Sequence, residues 1–129
     1  MGSEQQQKRI LIVDDDPDIS ITLRISLEDN GFSADSYTDP VLAFENFRGG
    51  QYDLVILDIK MRDDGFHLYR KMRKIDSKIK VCFLTATEYF HEEIRKEHGL
   101  DELNKELFLR KPIETEDLVR EIQKLLGPG

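Results

Sequence analysis

Two short apolar runs, Ile10-Leu11-Ile12-Val13 and Leu54-Val55-Ile56-Leu57, each stop at an aspartate. Runs this short, rich in β-branched residues and without polar alternation, are the pattern of strands buried on both faces. Such strands need helices above and below them, and the segments between supply helical signals. Asp16-Pro17 and Asp39-Pro40 each read as an N-cap followed by proline at the first helical position. Asn30-Gly31 and Gly49-Gly50 read as stops.

The segment after Pro17 fits two templates. Ile19, Ile21, Leu23, Ile25 and Leu27 alternate as in a strand, while Ile19, Leu23 and Leu27 also fall on one helical face. The flanking cap and stop favour helix, which leaves Ile21 and Ile25 on its outer side. Phe32 to Tyr37 reads as a weaker strand. Val41, Phe44 and Phe47 form a helical stripe that runs toward Gly49. Phe66 to Lys74 reads as helix after a loop through Asp63-Asp64-Gly65. Val81 to Leu84 is a strand ending at Thr85, residues 88 to 98 are helical, and Leu107 to Leu109 is a last strand before Lys111-Pro112. Leu118, Ile122, Leu125 and Leu126 give the clearest helical stripe. Five alternations of strand and helix predict an α/β fold, a parallel sheet with helices on both faces.

The 129 residues suit a single domain. A lead-in at residues 1–8, polar and disordered, a folded unit at 9–126 and a tail at 127–129 are the expected divisions. A formal net charge of -7 argues against direct nucleic-acid binding and suits a domain that gathers cations or is simply soluble. No apolar run reaches the length of a membrane span. The one cysteine, Cys82, lies in an apolar run and fits a reducing, cytoplasmic setting.

Open parallel sheets bind ligands beyond the carboxyl ends of their strands. Here those ends carry Asp14 and Asp15, Asp58, Thr85 and Lys111. Carboxylates gathered at one edge repel each other, and a hard divalent cation such as Mg²⁺, which prefers oxygen ligands, would relieve that. Lys111 can pair with a carboxylate or a phosphoryl oxygen, and Thr85 can donate to the same oxygen. Asp58, ending the central strand, is the best nucleophile candidate, because a carboxylate can attack phosphorus to form an acyl phosphate. Asp14 and Asp15 would hold the metal. Taken singly, each has a plainer role: Asp14 to Asp16 as helix caps, Asp58 as a turn residue, Thr85 as a strand-end hydroxyl, Lys111 as a solvated lysine. Their joint occurrence at successive strand ends is what points to a site.

Ile-Leu-Ile-Val-Asp-Asp-Asp-Pro, Leu-Val-Ile-Leu-Asp-Ile-Lys-Met, Asp64-Gly65, Leu84-Thr85-Ala86 and Lys111-Pro112, in that order, resemble the receiver domains of two-component response regulators. The resemblance runs from about Arg9 to Leu126. It implies a flavodoxin-like, doubly wound five-stranded sheet of order 2-1-3-4-5, for which a receiver is a standing example. It implies Asp58 as phosphoacceptor, with Mg²⁺ held by Asp15, Asp58 and the backbone carbonyl of Lys60, and by Asp14 through water. It also implies that Thr85 and Lys111 contact the phosphoryl group, that Phe108 is the aromatic switch partner of Thr85, and that the Lys111-Pro112 bond is cis. The implied partners are a sensor histidine kinase or phosphotransfer protein and a downstream protein or fused output domain, read through the face of the fourth helix, last strand and fifth helix. Monomer and phosphorylation-dependent homodimer both remain open. Such a domain catalyses only its own phosphorylation and dephosphorylation.

Two departures stand out. Arg62 replaces the family's usual proline, and the stretch around His98 to Glu106 is longer than usual. Ile19, Ile21, Ile25 and Pro112 are the candidate docking residues for the phosphodonor protein. The basic run Arg70 to Lys74 reads as a solvated helix face, and His91 and His98 lack the spacing of a zinc helix. Competing readings are a Mg²⁺-dependent aspartate-nucleophile phosphatase-like hydrolase and a protein-binding module with a vestigial acidic site. The first usually carries a second aspartate two residues beyond the nucleophile, where this chain has Lys60.

Overall fold

The computed structural model describes residues 7–59, 65–85 and 107–127, apart from the side chain of Thr85. The helix expected over 88 to 98 and the backbone of Lys60 lie outside the described residues. In chain order the elements are β1 (Arg9–Val13), α1 (Pro17–Asp29), β2 (Ser33–Tyr37), α2 (Pro40–Glu45), β3 (Leu54–Asp58), α3 (Gly65–Ile75), β4 (Lys80–Thr85), β5 (Leu107–Arg110) and α4 (Thr115–Leu126). The five strands form one sheet of order β2-β1-β3-β4-β5, with every pairing parallel. This is the flavodoxin-like arrangement, and its polar strand ends meet along one edge.

Alternation along each strand divides the core into two layers. Leu11, Val13, Val55, Leu57, Val81 and Phe83 face one side, where Ala43, Phe66, Tyr69 and Met72 cover them from α2 and α3. Ile10, Ile12, Leu54, Ile56, Cys82 and Leu84 face the other, covered by Leu23 and Leu27 of α1 and Leu118, Val119 and Ile122 of α4. The apolar runs that lack polar alternation are therefore buried on both faces, as their composition requires.

The two-way pattern after Pro17 resolves as helix. Asp16 caps it, its carboxylate accepting from the Asp18 and Ile19 amides, and Asn30 closes it before Gly31 at φ 92°. Ser20, Leu23 and Leu27 are buried, Ile19 is partly buried, and Ile21 and Ile25 are 46% and 48% exposed.

α2 corrects the expected stripe. It ends at Glu45, well short of Gly49, and Val41 is 51% exposed instead of facing inward. The inward set is Pro40, Ala43 and, just past the helix, Phe47, with Phe44 partly buried. Asn46 and Arg48 side chains take up the carbonyls of Leu42, Glu45 and Phe47, which satisfies the helix end early.

Candidate functional site

The site forms where β1, β3 and β4 end side by side. Asp14 follows Val13 of β1, and its amide donates to the Tyr37 carbonyl of β2, 3.1 Å away. That bond keeps Asp14 in line with the sheet, so its side chain is buried at 1% exposure. One carboxylate oxygen accepts from the Asp16 amide at 2.9 Å, and the other from the Lys111 ammonium, also at 2.9 Å. Asp58 closes β3 at 5% exposure, and its carboxylate lies 3.4 Å from the same ammonium. Asp15 is exposed. Asp14, Asp15 and Asp58 can each present an oxygen within 4.8 Å of the other two.

Lys111 thus bridges two buried carboxylates. Burial pulls its ammonium toward losing the proton, but the hydrogen bond to Asp14 and the charges of Asp58 and Asp14 outweigh this and hold it above the usual lysine value. The bond to Pro112 is cis. Asp14, Asp15 and Asp58 together leave negative charge that the one ammonium does not offset and a divalent cation would neutralise, and all offer the hard oxygen ligands that Mg²⁺ prefers. The donor set therefore fits a hard cation.

The structure brings together four of the residues singled out in the sequence: Asp14, Asp15, Asp58 and Lys111. Thr85 closes β4 one residue beyond Leu84, which is in register with Asp58. Phe108, on β5, is partly buried, its ring stacked on Phe83 at 4.9 Å between centroids. Phe83 in turn meets Phe66, at the start of α3, at 4.9 Å. An aromatic chain therefore runs from beside Asp58 to β5. Ile21 and Ile25 are on the outer face of α1. Ile19 and Pro112 line a cleft of about 540 Å³ between α1 and α4, together with Leu84, Lys111 and Ile113.

Two further residues have a hand in the site: Gly65, which stands out in the sequence only within Asp64-Gly65 and with no role attached, and Ser20. Gly65 opens α3 against β3, and a Cβ there would lie 2.6 Å from the Asp58 carbonyl oxygen. Ser20 is the third buried polar side chain among the described residues, with Asp14 and Asp58, and its hydroxyl donates to the Asp14 carbonyl at 3.1 Å. Its only sequence signal is a polar residue three before Leu23 on the inward face of a capped helix.

Residues 10–123 match the model of the response regulator receiver domain. The chain belongs to that family. It is 32% identical over 124 residues to the transcriptional regulatory protein RprY of Bacteroides fragilis, a match covering 94% of this chain and 50% of that protein. The chain spans about half the length of the curated relatives it matches. Among solved structures, a CheY-like receiver domain protein of Methanospirillum hungatei superposes with a TM-score of 0.79 at 26% identity, covering 94% of both chains. TrrA of Thermotoga maritima, solved in complex with Mg²⁺-BeF, gives 0.76 at 31% identity, covering 93% of this chain and all of that one.

Proposed function

We propose that this chain is a phosphorelay receiver in which Asp58 accepts a phosphoryl group from a phosphohistidine of a sensor histidine kinase or phosphotransfer protein. The observation that carries the reading is the Lys111 ammonium, 2.9 Å from Asp14 and 3.4 Å from Asp58, beside a third carboxylate at Asp15. An isolated capping role for the aspartates would leave no reason to seat a lysine between two buried carboxylates, an arrangement costly in desolvation.

In the transfer, a carboxylate oxygen of Asp58 attacks phosphorus. The phosphorus–nitrogen bond to the donor imidazole breaks, and the electron pair leaves with the imidazole nitrogen, which is then protonated. Lys111 is placed to follow the negative charge from the carboxylate to the phosphoryl oxygens. Asp15 and Asp58, with the Lys60 backbone carbonyl, would hold Mg²⁺, and Asp14 would reach it through water. The cation supplies charge neutralisation for the transferring group. Thr85 would donate to a phosphoryl oxygen, and Phe108 would change its packing in response. That carries the signal to the face beside β5, where a downstream protein or fused output domain reads it. The TrrA complex with Mg²⁺-BeF and the transcriptional-regulator relatives support this reading by likeness. The receiver unit is assigned to residues 9–126, and its setting to the cytoplasm.

Intact mass after incubation with acetyl phosphate and Mg²⁺ tests it. The expected result is one added phosphoryl group, dependent on Mg²⁺ and absent from Asp58→Asn. An adduct that persists in Asp58→Asn would move the acceptor elsewhere. No adduct on the wild type, and no binding of beryllofluoride, would remove the receiver reading.

A further inference from the structure

Ser20 lies where α1 turns its apolar stripe to the sheet. It shares the buried face with Leu23 and Leu27 and is 1% exposed. A hydroxyl on such a face costs desolvation and packs less apolar surface than the residues around it. Serine is also a mediocre helix former. The hydroxyl is compensated by one bond, to the Asp14 carbonyl at 3.1 Å.

That carbonyl belongs to the peptide joining Asp14 to Asp15. The Asp14 amide is tied to Tyr37 on one side, and the Asp14 carboxylate to Asp16 and Lys111 on the other. The bond from the Asp16 amide closes an Asx turn around the next peptide, the one between Asp14 and Asp15, and Ser20 adds a direct hold on its carbonyl. The orientation of that peptide decides where the Asp15 side chain leaves the backbone. Asp15 is exposed, with a carboxylate oxygen near those of Asp14 and Asp58. We infer that Ser20 is a positioning residue for the cation site: its hydrogen bond, added to the Asx turn, fixes the Asp14–Asp15 peptide and so aims the Asp15 carboxylate toward Asp58. The inference rests on the proposed receiver reading of that site. It also ties the cation site to α1, so that a displacement of the helix start would be felt at Asp15 before it reached Asp58.

The test is Mg²⁺ affinity by titration calorimetry on wild type, Ser20→Ala, Ser20→Thr and Asp15→Asn, with the metal-free melting temperature of each. Wild type should bind, and Asp15→Asn should lose most of that binding. Ser20→Ala should bind about tenfold more weakly, the low end of what partners behind a metal ligand contribute. Ser20→Thr, which keeps the hydroxyl, should recover most of the affinity. A purely structural serine would lower the metal-free melting temperature of Ser20→Ala and leave its Mg²⁺ affinity at the wild-type value. That result would overturn the inference while leaving the receiver reading intact. Absence of Mg²⁺ binding by the wild type would instead bring down the reading of the site, and the role of Ser20 with it.

Discussion

Asp14, Asp15 and Asp16 are adjacent and chemically identical, yet the fold gives each a different task. Asp14 is buried against Lys111, Asp15 stays exposed beside the other carboxylates, and Asp16 caps α1. The sequence shows three acids before a proline and a capping role that any of them could fill. It cannot show which one the last peptide of β1 turns inward, because that depends on the bond from the Asp14 amide to Tyr37, a residue more than twenty positions away. Lys111 was legible as a strand-end lysine able to pair with a carboxylate; that it bridges two of them follows from its side chain reaching past the end of β4, which separates β5 from β3, to Asp14 and Asp58. Its raised pKa has a measurable consequence. The ammonium is charged in folded and unfolded chains below the ordinary value of 10.5, so its contribution is fully present there, and it is lost as pH rises through the higher folded value. Tyr52 acts in the same direction. Burial, then its 2.6 Å hydrogen bond to Asp35, raises its pKa above the ordinary 10.0, so ionisation of the unfolded chain erodes stability above that pH. Denaturant unfolding followed from neutral to strongly alkaline pH should show stability falling above pH about 10, by up to about 1.4 kcal/mol per pH unit for each proton involved. The decline should be shallower in Tyr52→Phe and in Lys111→Met, and identical slopes in all three proteins would contradict these assignments.

Elements were legible where sequence signals agreed and obscure where they competed. β1, β3 and the inward stripe of α4 follow directly from their apolar runs. α1 needed its caps to overrule a strand-like alternation. α2 departs from its apparent stripe because Phe47, which looks like the end of that stripe, is buried from the loop after the helix has closed. α3 poses a different problem, since its start is set by contact and not by propensity. Gly65 opens that helix so close to β3 that a side chain would meet the Asp58 carbonyl oxygen. Gly65→Ala is therefore expected to cost about 1–3 kcal/mol, the usual range for forced overpacking. It should also slow phosphorylation by acetyl phosphate, because the displaced backbone is that of Asp58. Thermal unfolding and the rate of phosphoryl uptake measure the two effects. Wild-type values in both would mean that α3 can slide away from β3 freely.

At the level of the molecule, the acidic edge of the sheet lies near an exposed apolar face of α1. The carboxyl edge holds the acidic site, and the α1 side presents Ile21 and Ile25 to solvent, next to the cleft lined by Ile19 and Pro112. On the proposed receiver reading, this apolar pair on the outer face of α1 is the surface assigned to the phosphodonor protein. Ile21→Glu should reduce phosphotransfer from the cognate kinase about tenfold, equivalent to roughly 1.4 kcal/mol of lost docking energy. Uptake from acetyl phosphate, which needs no docking, should stay unchanged. Equal transfer to both proteins would assign Ile21 no part in recognition. The overall architecture could be read from five strand–helix alternations and their polar ends, and the exposed pair from the cap and stop signals that make α1 a helix, as its exposure bears out.

The strand order also bears on how the chain comes to be made. β1 is the first strand of this sheet in chain order, yet it is an interior one, paired with β2 on one side and β3 on the other. A nascent chain that has emerged through Tyr37 can fill only one flank of Ile10 to Val13. The other flank stays bare until Leu54 to Asp58 follow. During that interval the most apolar segment of the protein is an open edge, the kind of surface that recruits other chains. The same stretch that later sets the acidic site in place is thus the one most in need of prompt synthesis or a chaperone's cover.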